Sequence, residues 1–120
     1  MKRCKTILVC GSSIDGKISA GRNISSKTFG EYLPKNLDLE LHKIRSLVDG
    51  ILVSVNTVIT DNPSLTVRKL VTQKAPARIL LDRKGRVPKE SKILNKEAKT
   101  IILTTSLGFK KLRKKSKRKH

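Results

Sequence analysis

The run Gly50-Ile51-Leu52-Val53-Ser54 is apolar at consecutive rather than alternating positions, and it follows directly on a helical pattern. Leu37, Leu41, Ile44 and Val48 recur at spacings of four, three and four, which is one apolar face of a helix. Asp49-Gly50 closes that helix and opens the strand. A short strand with no polar alternation is covered on both faces, which is the habit of parallel sheets crossed by helices. Three more β-branched runs join it: residues 5–10 (KTILVC), 77–82 (ARILLD) and 99–105 (KTIILTT). The order strand, helix, strand, loop, strand, strand predicts an α/β domain with a crossover unit over residues 37–54. Asn36 or Asp38 is placed to cap the helix after Pro34. Residues 55–63, ending in Asp61-Asn62-Pro63, read as a loop with one helical turn. No repeat is visible.

With 120 residues, the chain has the length of one small domain. No apolar stretch approaches the ~20 residues a membrane helix needs, and the N-terminus lacks a signal-peptide core, so the expected location is the cytoplasm. Cys4 and Cys10, six positions apart, would stand about 20 Å apart in an extended strand, too far for a disulfide. They read as buried strand thiols. No His or Cys cluster of metal-ligand spacing accompanies them, and no metal site is expected.

Charge divides the chain. There are 28 Lys+Arg against 9 Asp+Glu, a net charge of +19. Eight of those cations lie in residues 110–120 (KKLRKKSKRKH); without them the excess is still 11. The expected division is a body over residues 1–106 and a basic, disordered tail over 107–120. Three readings compete for the tail: a nucleic-acid-binding arm, a solvated segment, or an aberrant end to a longer chain. The scarcity of aromatics (Phe29, Tyr32 and Phe109) and the lack of a nucleic-acid-reading motif count against the first.

Neither standard phosphate loop is present, and His42 has no sequence partner for a catalytic triad. It reads as a helix-face residue. Asp15, Asp49, Asp61 and Asp82 each fall near a strand end, where ligands gather in open α/β sheets, but Asp is equally at home in turns. Arg45 and Arg68 are planar cations suited to a phosphate, with solvated surface as the alternative.

Longer motifs narrow this. Ser13-Ile14-Asp15-Gly16-Lys17-Ile18, the helix segment His42-Lys43-Ile44-Arg45 with Val48-Asp49-Gly50-Ile51-Leu52-Val53, and Asn56-Thr57-Val58 followed by Asp61-Asn62-Pro63-Ser64-Leu65-Thr66-Val67-Arg68 stand in register. Arg78-Ile79-Leu80-Leu81-Asp82 and Arg86-Val87-Pro88 continue the series. Together they resemble the riboflavin-biosynthesis pyrimidine reductases over about residues 5–105, in the flavour of the archaeal-type stand-alone enzyme rather than the form fused to a deaminase.

The resemblance implies a dihydrofolate-reductase-like α/β fold, a homodimer, and NADPH-dependent reduction of a ribosylaminopyrimidine 5′-phosphate to its ribityl form. It places Thr57 and Asp61 at the cofactor; Arg83 stands where the family often has a small Ser near the cofactor, and either contacts the NADPH phosphates or faces water. It places Ser26, Arg45, Leu65 and Arg68 at the substrate, and Asp15 and Lys17 in the catalytic loop beside it. The family's second half, with a strand ending in Glu-Gly-Gly-Gly, has no counterpart. The expectation is therefore the N-terminal half of the reductase, with a fold incomplete at its C-terminus. The rival expectation is a small basic nucleic-acid-binding protein that uses the tail.

Overall fold

The computed structural model describes residues 2–71 and 74–117. Residues 72 and 73 of the polar connection, and 118–120 of the basic tail, lie outside the described residues. The centre is a parallel sheet of β1 (Gly50–Ser54), β2 (Ala77–Leu81) and β3 (Thr100–Leu103), in that spatial order. Register pairs Ile51 with Arg78 and Val53 with Leu80, then Arg78 with Thr100 and Leu80 with Ile102. These residues share one face, because side chains alternate along a strand. Against that face pack Val55 and Val58 of α2 (Val55–Asp61), and Leu65, Val87 and Ile93 from the connections.

The opposite face is bare. Leu52, Leu81, Ile101 and Leu103 are 57%, 43%, 36% and 49% exposed, although parallel sheets are ordinarily covered on both sides.

The helix α1 (Leu37–Leu47) follows the expected periodicity, with Asn36 at its N-cap. Its apolar stripe Leu37, Leu41 and Ile44 is only half-buried, however, and its one fully buried residue is His42. The single helical turn expected after β1 is a seven-residue helix, α2. Ser54 caps it, accepting from the Thr57 amide at 3.4 Å, and Asn62 stops it in the left-handed region at φ 44°.

Residues 5–10 do not form the expected strand: they are extended, unpaired and exposed, with Leu8 at 89%. β-branched composition favours a strand only where a neighbour completes the ladder, and residues 5–10 pair with neither open edge of the sheet, at β1 or at β3. Cys4 and Cys10 are accordingly exposed free thiols rather than buried ones.

The basic tail also departs from expectation. Residues Ser106–Lys117 form α3. Leu112 packs on the core, and Lys115 Nζ donates to the carbonyls of Gly85 and Val87 at 2.9 and 3.2 Å. Arg113 lies over the Phe109 ring, 5.8 Å from its centroid. Tertiary contact thus orders a segment whose composition alone predicts disorder.

One cation holds the connections together. Arg78, the second residue of the central strand β2, is completely buried. It donates to Thr100 Oγ1, to the Asn95 side chain, and to the carbonyls of Ser64, Lys92, Asn95 and Ala98, at 2.6 to 3.4 Å. Every acceptor is neutral, so a buried charge that would be costly alone is solvated by protein dipoles.

Candidate functional site

All three strands run the same way, so their carboxyl ends lie together, and there the structure opens a cleft of about 570 Å³. Its walls include Val55, Asp82, Arg83, Lys84, Arg86 and Thr105. Asp82 builds the cationic rim. Its buried carboxylate accepts from the backbone amides of Arg86 and Val87, both at 2.8 Å, and so closes the turn after β2. Gly85, at φ +64°, completes that turn in a conformation glycine adopts without strain. With Asp82 occupied by amides, the turn presents Arg83 and Lys84, while Arg86 reaches across to Asn56 Oδ1 at 2.5 Å. The Arg83 carbonyl accepts from Thr105 Oγ1 at 2.8 Å, tying the ends of β2 and β3.

A second polar centre lies between α1 and the segment after α2. That segment turns twice into the left-handed region, at Asn62 and at Leu65, φ 54°. The cost of a non-glycine residue there is ordinarily ~1–3 kcal/mol, and the surrounding contacts hold it. Leu65 is buried in the core, so its main chain rather than its side chain is what it offers a ligand. Thr66 and Arg68 follow. Arg45 Nη1 donates to the Thr66 carbonyl at 3.4 Å, and His42 Nδ1 accepts the Arg68 amide at 3.0 Å.

Burial, and next the Arg68 charge, lower the Arg45 pKa. The nearby carboxylate, Asp38, is taken by Lys69 Nζ at 2.5 Å. The centre therefore holds two guanidiniums with no carboxylate bonded to either among the described residues. Two buried polar atoms here, Thr66 Oγ1 and His42 Nε2, have no hydrogen-bond partner among the described residues.

The structure also joins Ser26 and Asp61, which sequence reasoning had assigned to different ligands. Ser26 Oγ donates to Asp61 Oδ2 at 3.1 Å, and Lys27 Nζ donates to the Asp61 carbonyl at 2.7 Å. Asp61 Oδ1 is buried without a partner. Thr57 sits one helical turn earlier on α2, half-buried.

Asp15 and Lys17 form a separate unit. Ser13 Oγ donates to Asp15 Oδ1, Lys17 Nζ meets Asp15 Oδ2 at 2.5 Å, and the Lys17 ammonium, with Ser13 behind it, lowers the Asp15 pKa. Gly16, at φ +79°, makes the turn. Among the described residues, no hydrogen bond or ion pair joins this exposed turn to Arg45, Arg68 or the cleft.

Sequence reasoning missed His42, Thr66, Lys84 and Arg86 as parts of these centres. For His42 a signal was present: it lies three positions before Arg45, on the same helix face.

Residues 5–117 match the RibD C-terminal domain family, which runs through α3 and past the boundary expected at residue 106. A 2,5-diamino-6-ribosylamino-4(3H)-pyrimidinone 5′-phosphate reductase from Aquifex aeolicus is 45% identical over 106 residues, covering 88% of this chain and 47% of that protein. A reductase of the same name from Methanothermobacter thermautotrophicus is 34% identical, over 80% of this chain and 43% of its own length. A diaminohydroxyphosphoribosylaminopyrimidine deaminase/5-amino-6-(5-phosphoribosylamino)uracil reductase of known structure from Thermotoga maritima superposes with a TM-score of 0.63 at 30% identity, covering 79% of this chain and 26% of that one. The chain thus spans about half the length of the Aquifex and Methanothermobacter reductases. Its parallel sheet and flanking helices are those of a dihydrofolate-reductase-like α/β domain, and the chain belongs to the RibD C-terminal domain family.

Proposed function

We propose that this chain binds NADPH and a ribosylaminopyrimidine 5′-phosphate, and serves the reduction of that sugar in riboflavin biosynthesis. The observation that carries the reading is the pair Arg45 and Arg68, near enough for the Arg68 charge to lower the Arg45 pKa, with no carboxylate bonded to either among the described residues. Such a pair suits a sugar phosphate, because guanidinium forks bind phosphate oxygens in parallel. Asp61 Oδ1 and Thr66 Oγ1 are buried polar atoms awaiting partners, and a ligand rich in amino and hydroxyl groups supplies them.

The donor set of the cleft fits the cofactor. Arg83 and Lys84 are exposed cations on its rim, and its one buried acid, Asp82, is already bonded to backbone amides. They would hold the cofactor's phosphates, with Thr57 and Asp61 beside the nicotinamide end. The nicotinamide, when bound, supplies hydride to C1′ of the ring-opened sugar. The chain's own work is to place the two ligands along one sheet edge. Lys17, oriented by Asp15, would polarise the sugar, and Ser26, bonded to Asp61, would contact the substrate next to the cofactor. A homodimer belongs to the same proposal, supported by the bare apolar face of the sheet.

Titrating the full chain with ribose 5-phosphate and with NADPH tests the reading. Expected are binding of ribose 5-phosphate but not ribose, its loss in Arg45→Ala and Arg68→Ala, and preference for NADPH over NADH that falls in Arg83→Ala. Ribose 5-phosphate affinity unchanged by both arginine substitutions overturns it.

A second reading rests on α3, which carries six Lys/Arg and no acid in twelve residues. It would make the helix a nucleic-acid contact, with the salt dependence of phosphate binding.

A further inference from the structure

His42 is the one fully buried residue of α1, and nothing in the proposed reaction uses it. It touches the anion site through the main chain, not through a guanidinium: its Nδ1 accepts the Arg68 amide at 3.0 Å. An accepting Nδ1 carries no proton, so the neutral ring has its hydrogen on Nε2. Nε2 has no hydrogen-bond partner, and the closest carboxylate oxygen, Asp38 Oδ1, is 3.8 Å away.

The charged groups facing the ring are Asp38 and Arg45 from α1, and Arg68 and Lys69 from the segment after α2. Three are cations, and Lys69 engages the single acid at 2.5 Å. Burial first, then the Arg45 charge, lower the imidazole pKa, with Arg68 and Lys69 adding to it and Asp38 opposing. A lysine here could accept no hydrogen bond, and a carboxylate would compete with the ligand for the arginines. A neutral imidazole does neither.

We propose that His42 is a positioning residue for the Arg45–Arg68 anion site: its unprotonated Nδ1 fixes the main chain at Arg68, and protonation of the ring releases it. The inference rests on the reading of that pair as the phosphate site, and it makes a prediction of opposite sign to a direct contact. An imidazolium that touched the phosphate would tighten binding in acid. A positioning imidazole loses its acceptor on protonation and weakens binding.

The test titrates sulfate, whose charge is constant from pH 5 to 8, into the full chain, reading the Arg68 amide by NMR and the His42 ring nitrogens for tautomer. The expected results are an Nε2–H ring at pH 7.5 and sulfate affinity falling about three- to tenfold as the ring nitrogens report protonation on acidification, the loss of one hydrogen bond's worth. His42→Asn places its Oδ1 one bond from Cγ, as Nδ1 is. It should keep the pH 7.5 affinity and abolish the pH dependence, whereas His42→Leu should lose affinity at every pH. Affinity that is flat or tighter across the protonation of the ring seen by NMR overturns the inference, as does His42→Asn behaving like a folded His42→Leu. Should His42→Leu not fold, the tautomer, the wild-type profile and His42→Asn decide. Arg68→Ala and Arg45→Ala separate the two claims. If neither changes sulfate binding, the anion site itself is wrong. If both abolish it while His42→Asn retains the wild-type pH dependence, only the role of His42 falls.

Discussion

Gly85 and Gly108 meet backbone to backbone: a methyl group on Gly85 would lie 2.7 Å from the Gly108 carbonyl oxygen, and one on Gly108 would lie 3.1 Å from the Gly85 nitrogen and 2.7 Å from the Arg83 carbonyl oxygen. This contact brings α3 against the cationic turn of the cleft.

Gly108→Ala should therefore destabilise the domain by ~1–3 kcal/mol, the range for forcing a methyl into a packed contact. Gly30→Ala, with nothing within 4 Å of the added carbon, is the control and should change stability by about 0.5 kcal/mol or less. Urea denaturation of both variants measures the difference. Equal midpoints would mean that α3 is not docked in solution.

Arg78→Met leaves the Ser64, Lys92, Asn95 and Ala98 carbonyls without their shared donor. A loss of roughly 3 kcal/mol or more is expected from leaving several buried acceptors unpaired. Arg78→Lys should recover little, since an ammonium cannot span six acceptors set around a planar fork. Full recovery by lysine in urea melts would refute the fork geometry.

Stability should depend on pH through His42. Its folded-state pKa is held below the ordinary 6.5, so the folded chain binds fewer protons than the unfolded chain as acid is added. The contribution is fully present above pH 6.5 and is lost as pH falls from there through the lowered folded-state value. Urea midpoints measured stepwise from pH 7.5 to 5 should fall in the wild type and stay flatter in His42→Asn. Parallel curves would show that the ring does not titrate differently on folding.

The basic helix gives a salt test. If α3 binds nucleic acid, affinity for an oligonucleotide should drop roughly 10³-fold or more between 50 and 200 mM salt for about six phosphate contacts. Replacing Lys110, Lys111, Arg113 and Lys114 with Gln should remove that binding and leave ribose 5-phosphate affinity intact. Oligonucleotide binding that survives the substitutions would locate it elsewhere on this basic chain.

Local patterns in the sequence disclosed the sheet well. β1, β2 and β3 each fall within the apolar runs read as strands, and α1 follows its heptad-like spacing, because burial on a parallel sheet writes itself into consecutive residues. What failed depended on partners distant in the chain. Residues 5–10 have the composition of a strand but pair with neither edge of the sheet. The helix α3 has the composition of a disordered tail, but Gly108, Leu112 and Lys115 find docking points near Gly85. At the site, the arginine pair was legible because residue type already limits what Arg45 and Arg68 can do. His42 and Arg78 were not: the same residues on an exposed helix or strand edge look identical in sequence, and only the arrival of Arg68, or of Ser64 and Asn95, gives them a role.

Arg78 and His42 also differ in what acid does to them. The six acceptors around Arg78 are carbonyls, an amide and a hydroxyl, none of which takes up a proton in the range where proteins titrate, and guanidinium keeps its charge throughout. The Arg68 segment hangs on a ring that does titrate. Acidification should therefore take the domain apart in order: amide exchange quickens first at Arg68 and its neighbours, while Arg78 still fastens the central strand to the turns around Asn95.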